Sequence, residues 1–212
     1  MKFSWILLAV LAATAAPATA QEQPVAGTDE PAPSTAKDVR ALHDYARCVA
    51  RRRTPAARAL LAMDYRAGEQ HAAILKITSQ SLGCAPRGTS RFNERFFAGR
   101  MAEALLRDDL AGAPLASRVA LDPARPAIVA RDETELMSIC TVRAAPEAVN
   151  ALFATEPASP GEASAVRALM PQIGQCLAAG ATAQLNRSAV RSLLALAAYR
   201  LSEHNHPSPA GN

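Results

Sequence analysis

Aromatic side chains are scarce in this sequence: Phe, Trp and Tyr make up 4% of the residues, and the only tryptophan is Trp5. A core built without them rests on Ala, Leu, Val, Ile and Met. Alanine-rich helix faces approach closely but remove less apolar surface from water than Leu- or Phe-rich ones. The scarcity also excludes a base-stacking surface for nucleic acid, which needs exposed rings. Beyond the first apolar stretch at Phe3–Leu11 no hydrophobic run is long. None approaches the roughly 20 residues that a membrane-crossing helix requires.

Reactive motifs are missing as well. The sequence holds no G-x-S-x-G, no H-E-x-x-H and no phosphate-cradling glycine loop, so no catalytic residue is assigned. Histidines are few: His43, His71, His204 and His206. The H-x-H of the tail lacks the third and fourth ligands that a zinc site needs, and no metal or other cofactor is expected. His43 precedes Asp44, but 92 residues on stand Glu135 and Leu136. His43 is therefore read as a half-exposed helix residue, and Asp108-Asp109 as a solvated edge.

Cysteines number four, and they carry the organisation of the chain. Cys48, Cys84, Cys140 and Cys176 are spaced 36, 56 and 36 residues apart. The equal intervals bracket similar text: Ala59-Leu60-Leu61-Ala62 answers to Ala151-Leu152-Phe153-Ala154, and Phe92-Asn93 to Leu185-Asn186. This reads as an internal duplication. Four cysteines allow three pairings. Cys48–Cys84 with Cys140–Cys176 is favoured, because a single ancestral module had only its own two to join. Neither C-x-x-C nor C-x-x-C-H occurs, which argues against thiol exchange and covalent haem.

Disulfides suit an oxidising compartment, and residues 1–20 look like a secretory signal: Lys2, a short apolar run, then Ala18-Thr19-Ala20. Residues 21–36 are rich in Pro, Ala, Thr and acids and read as a disordered leader. A first helical module is expected at 37–109, a proline-containing linker at 110–131, a second module at 132–203 and a flexible tail at 204–212. Brief extended pieces are expected in the linker at Val119-Ala120-Leu121 and Ile128-Val129-Ala130.

Helix signals are local and repeated. Thr35 and the acid of Asp38 mark one start, Asp132 and Glu135 another, and Ser159-Pro160-Gly161-Glu162 a third. Asn93 and Asn186 read as caps of the fourth helix in each module. Thr54-Pro55 reads as a cap followed by proline at the first helical position. Pro171 is expected to kink or end its helix. Phe92, Phe96 and Phe97 are assigned to the core, with the smaller Leu185, Ala189 and Val190 in the same slot of the second copy. Together these signals predict an all-α fold of two pseudo-symmetric modules, each of about four short helices closed by one disulfide. A shared core is expected, since a module of about 70 residues with few large side chains buries little alone.

Charge is unevenly spread. Residues 37–109 hold 14 Lys and Arg against 8 acids, whereas residues 110–212 hold 8 against 8. The basic surface of the first module centres on Arg47, Arg51, Arg52, Arg53 and Arg58. A positive patch steers binding to anionic envelope components or an acidic envelope protein. The pattern Tyr45…Cys48-Val49…Pro55…Ala59-Leu60-Leu61…Cys84, repeated as Cys140…Pro146…Leu152-Phe153…Cys176-Leu177…Leu185-Asn186, resembles small secreted proteins of alphaproteobacteria, particularly sphingomonads. That resemblance implies the helical module and no activity. The leading functional expectation is a non-enzymatic periplasmic or secreted partner-binding protein, contacting its partner through the five arginines. A helical carrier of a small apolar ligand and an envelope hydrolase without a recognisable motif are the alternatives.

Overall fold

Thr35 opens the first helix as expected: its Oγ1 accepts from the Asp38 amide and donates to the Asp38 carboxylate. The computed structural model describes residues 35–85, 92–110, 113–182 and 185–207. The signal-like segment, nearly all of the leader and the last residues of the tail lie outside these. In the first module α1 spans Ala36–Arg52, α2 Thr54–Ala62, α3 Gly68–Ser79 and α4 Glu94–Leu110, with a single 3₁₀ turn at Leu82–Cys84. In the second, α6 spans Glu133–Ala144, α7 Pro146–Ala154, α8 Pro160–Cys176 and α9 Arg187–Asn205. A short helix α5, Leu115–Val119, lies between them. No strand occurs among the described residues. The fold is all-α.

Most caps form as the sequence predicts. Asp132 accepts from the Glu135 amide, Ser159 from Glu162, Asn186 from Ala189 and Asn93 from Phe96. Each such bond satisfies an amide that the first helical turn leaves without an intrahelical partner. Three local expectations are corrected. Thr54 does not cap α2; its hydroxyl donates back to the Ala50 and Arg51 carbonyls, closing the end of α1 instead. Of the two effects expected of Pro171, a kink or an end, the end does not occur, for α8 continues to Cys176, held by buried Leu169 and Ile173 and by the disulfide at its last residue. The extended piece at Val119 is the end of α5, which turns helical because Leu115 and Val119 are both buried on one side of a single turn.

Both disulfides join cysteines of one module. Cys48–Cys84 ties α1 to the 3₁₀ turn, and Cys140–Cys176 ties α6 to the end of α8, with Cα separations of 5.6 and 5.7 Å. Helix boundaries also match between the modules. α2 and α7 begin and end at positions 92 residues apart, the spacing of Cys48 and Cys140.

The fourth helices form the centre. Every residue from Phe96 to Leu106 in α4 and from Ala189 to Tyr199 in α9 is buried. These two windows stand 93 residues apart, the offset that aligns Asn93 with Asn186. A helix apolar or covered on all sides is an interior helix. α4 and α9 form the longest interhelical seam, α1 covers α4, and α6 covers α9. One continuous core cluster runs through both modules, from Tyr45, Val49 and Leu61 to Leu152, Ile173 and Leu194. Small residues let the central pair close. A Cβ placed on Gly99 would lie 2.7 Å from the Ser192 carbonyl carbon.

Candidate functional site

The sequence placed its emphasis on surface arginines, but the most heavily bonded arginine is internal. Arg191 of α9 is 3% exposed and faces Glu103 of α4, which is 1% exposed. Its Nε donates to Glu103 Oε2 at 2.8 Å and its Nη2 to Glu103 Oε1 at 2.7 Å, a two-bonded fork. Nη1 donates to Glu162 Oε1 and to Thr155 Oγ1, and Nη2 also reaches the Phe153 and Thr155 carbonyls at the end of α7. All three nitrogens of the guanidinium are thereby engaged. Burial disfavours the Arg191 charge, yet bonds to and charges on Glu103 and Glu162 more than offset it and raise its pKa.

Glu162 has two tasks. Oε2 accepts from the Ala158 amide at the start of α8, while Oε1 holds Arg191. Glu135 repeats the arrangement in α6, accepting from the Arg131 amide and pairing with Arg200 of α9. The capping carboxylates were legible in the sequence; their second partners on α9 were not. His43 also departs from expectation. It is buried on α1, with Nε2 3.7 Å from Glu103 Oε1. Burial lowers its pKa, the Glu103 charge opposes that shift, and Arg191, Arg100 and Arg47 reinforce it.

The five arginines of the basic surface sit in different settings. Arg47 pairs with Asp44 on its own helix. Arg51 forks onto Asp108, with Nε and Nη2 at 3.0 and 2.8 Å. Arg53 donates to the Gln80 carbonyl. Arg58, partly buried, pairs with Asp109 and with Glu203 of α9. Arg52 is exposed, makes no ion pair among the described residues, and its guanidinium lies over Gly83 beside the first disulfide. Asp108 and Asp109, read as a solvated edge, are thus tethers between the end of α4 and the start of the module. No group of three or more His, Cys, Asp or Glu able to hold a metal occurs among the described residues.

The clearest concavity lies in the second module. A pocket of about 270 Å³ is lined by Leu136 and Met137 of α6, Cys176 of the disulfide, and Leu177, Ala181 and Leu185 of the segment that leads to α9. Glu133 and Thr134 supply its polar wall. Gly180, at φ 79°, makes the turn in that segment that a larger residue would resist.

The first module shows what the same slot looks like when filled. Met137 corresponds to Tyr45 at the 92-residue offset, and Leu185 and Val190 correspond to Phe92 and Phe97 at 93. Tyr45, Phe92 and Phe97 form an aromatic cluster, with Phe92 stacked on Phe97 at 4.5 Å and Tyr45 at 5.2 Å from Phe97. Where the first module has Tyr45 and Phe92, the second has Met137 and Leu185, and these two line the pocket, whereas Val190, the counterpart of Phe97, does not. The core role assigned to Phe96 and Phe97 holds, for both are buried. No family model, curated protein or solved structure matches this chain.

Proposed function

We propose that this is an exported, non-enzymatic binding protein whose second module carries a small apolar ligand with a ring-sized body. One observation carries the reading: three aromatic rings fill the slot beside Cys48–Cys84, and smaller side chains leave about 270 Å³ beside Cys140–Cys176. The volume stands just below the usual range for ligand pockets, about 300–1,000 Å³. A small ligand therefore suits it. Met137 and the disulfide sulfurs are polarisable and favour contact with a ring. Duplication supplies the logic, one copy keeping a self-filled core and the other freeing the slot. The signal-like N-terminus and the two disulfides support a periplasmic or secreted location.

Toluene is a direct probe. Titrated into protein labelled at its methionine methyls, it should move the Met137 signal saturably and raise the melting temperature. Met137→Tyr with Leu185→Phe installs the first module's own residues and should abolish both effects while the protein stays folded. A Met137 signal that never responds, or a double variant that binds as well as the wild type, sinks the reading.

A second reading is capture of an anionic envelope partner by the first module. It draws on Arg52, exposed and outside any ion pair among the described residues, next to Arg53 at the α1–α2 turn. Arg52→Glu with Arg53→Glu should abolish pulldown of that partner from envelope extract. Unchanged capture would remove this reading.

A further inference from the structure

Between α2, the segment before α6, and α9 lies a second concavity, of about 290 Å³, lined in part by Leu61, Ile128, Arg58, Arg131, Tyr199 and Arg200. Its walls come from both modules and the segment joining them, and it shares no residue with the apolar pocket. Two of its three guanidinium groups are neutralised within the protein. Arg58 pairs with Asp109 and Glu203, and Arg200 with Glu135. Glu203 also lines the groove, where Arg58 holds it, and His204 completes the rim with Nε2 on the Pro126 carbonyl. Asp109 and Glu135 do not belong to the lining, so the groove presents three cations and one carboxylate.

Arg131 is the exception among these cations. No carboxylate lies within 4 Å of its guanidinium among the described residues, although both neighbouring arginines have one. Its Nη2 donates to the Ala62 carbonyl at a long 3.3 Å, and its Nη1 is buried without any hydrogen-bond partner. The guanidinium carbon stands 5.4 Å from the centre of the Tyr65 ring, already shared with Arg95 at 4.1 Å. Burial first, and the charge of Arg200 second, lower the pKa of Arg131. A buried donor with no acceptor is costly, and the charges of Glu135 and Asp64 only partly offset the desolvation of this half-buried cation, so one carboxylate on Nη1 relieves both.

We infer that this groove binds a small organic monocarboxylate, its carboxylate on Arg131 and its short apolar tail on Leu61 and Ile128. The apolar wall rejects strongly hydrated inorganic anions. Glu203 in the lining disfavours dianions, because a second negative charge would face it directly. The site is independent of the ligand in the second module: filling that pocket leaves every residue here unchanged.

Hexanoate is the probe, with hexanol and hexylammonium as its uncharged and cationic counterparts. Calorimetric titration into the wild-type protein at low salt should give saturable heat with hexanoate and none with the other two. Arg131→Gln should weaken hexanoate binding about tenfold or more, the scale of one charge-assisted hydrogen bond. Arg131→Lys should retain part of it. Because Arg131 also supports the end of α2, a second variant separates binding from folding: Ile128→Trp fills the tail site with every charge in place and should abolish binding in a protein of normal melting temperature. Absence of hexanoate heat in the wild type overturns the assignment. So does equal binding of hexanol, or hexanoate binding unaffected by both Arg131→Gln and Ile128→Trp.

Discussion

Gly99 of α4 rests on the backbone of Ser192 of α9, and Ser192 is its own counterpart at the 93-residue offset. Counterparts meet where two like elements cross about a two-fold axis. The central crossing is therefore where the two modules mirror one another most closely. It is also where they tolerate least. Gly99→Ala gains roughly 1 kcal/mol in helix propensity but drives a Cβ into the Ser192 main chain. The clash should win, at about 1–3 kcal/mol of net destabilisation. Urea denaturation would measure it. Ser192→Gly should not rescue the variant, because the obstructing atoms include the carbonyl group.

Symmetry breaks a turn away. The counterparts of Glu103 and Arg191 are Leu196 and Ala98, both buried. One flank of the crossing is thus an ion pair and the other hydrocarbon. Arg191→Ala leaves Glu103 and Glu162 buried together without their cation and should cost about 3–5 kcal/mol. Glu103→Leu with Arg191→Met leaves only Glu162 without its cation and should cost less than the sum of Glu103→Leu and Arg191→Met made singly. A double-mutant cycle by chemical denaturation provides the comparison. Additive losses would mean the fork contributes nothing through pairing.

His43 makes stability depend on pH. Its folded pKa is lowered from 6.5, by burial first and then by the balance of Glu103 against Arg191, Arg100 and Arg47. The folded protein then binds fewer protons than the unfolded chain once the pH drops under 6.5. The stability tied to neutral His43 is complete above that pH and is lost as pH falls through the lower folded value. Melting temperatures between pH 7 and pH 5.5 should decline in the wild type. In His43→Leu the decline should be shallower over the same interval.

Each disulfide closes an interval of 36 residues. Loss of that constraint on the unfolded chain costs roughly 3–4 kcal/mol by chain entropy. Cys48→Ser with Cys84→Ser, and Cys140→Ser with Cys176→Ser, should each destabilise by that order. Because one core spans both modules, either pair should lower a single common unfolding transition. Two separate transitions in calorimetry would show that the modules melt apart.

The parts of the fold that are legible in the sequence are the local ones. Thr35, Asp132, Ser159 and Asn186 announce helix starts through bonds to amides three residues on. Spacing and repetition left three cysteine pairings open, and the one favoured on the argument of a single ancestral module is the one that forms. What escaped was long-range or unpatterned. Arg191 meets Glu103 across 88 positions, with no periodicity to mark the pair. His43 was read as half-exposed because the His-Asp pair is not repeated 92 residues on, though its ring turns inward to Glu103. α5 is a single turn among prolines, too short to show a period. Of the pocket, only half was visible. Leu185 and Val190 stood out as smaller than Phe92 and Phe97, but adjoining side chains could have repacked around them. Only the three-dimensional arrangement shows that space is left beside Leu185 and not beside Val190.

The burial of α4 on every side has a further bearing on biogenesis. Synthesis proceeds from the N-terminus, so α4 emerges long before α9, the helix that covers most of its far face. Until the second module has followed, Met101, Leu105 and their neighbours have no complete shelter. The nascent first module should therefore be held by a chaperone or remain loosely collapsed, with final packing delayed until the last helix arrives.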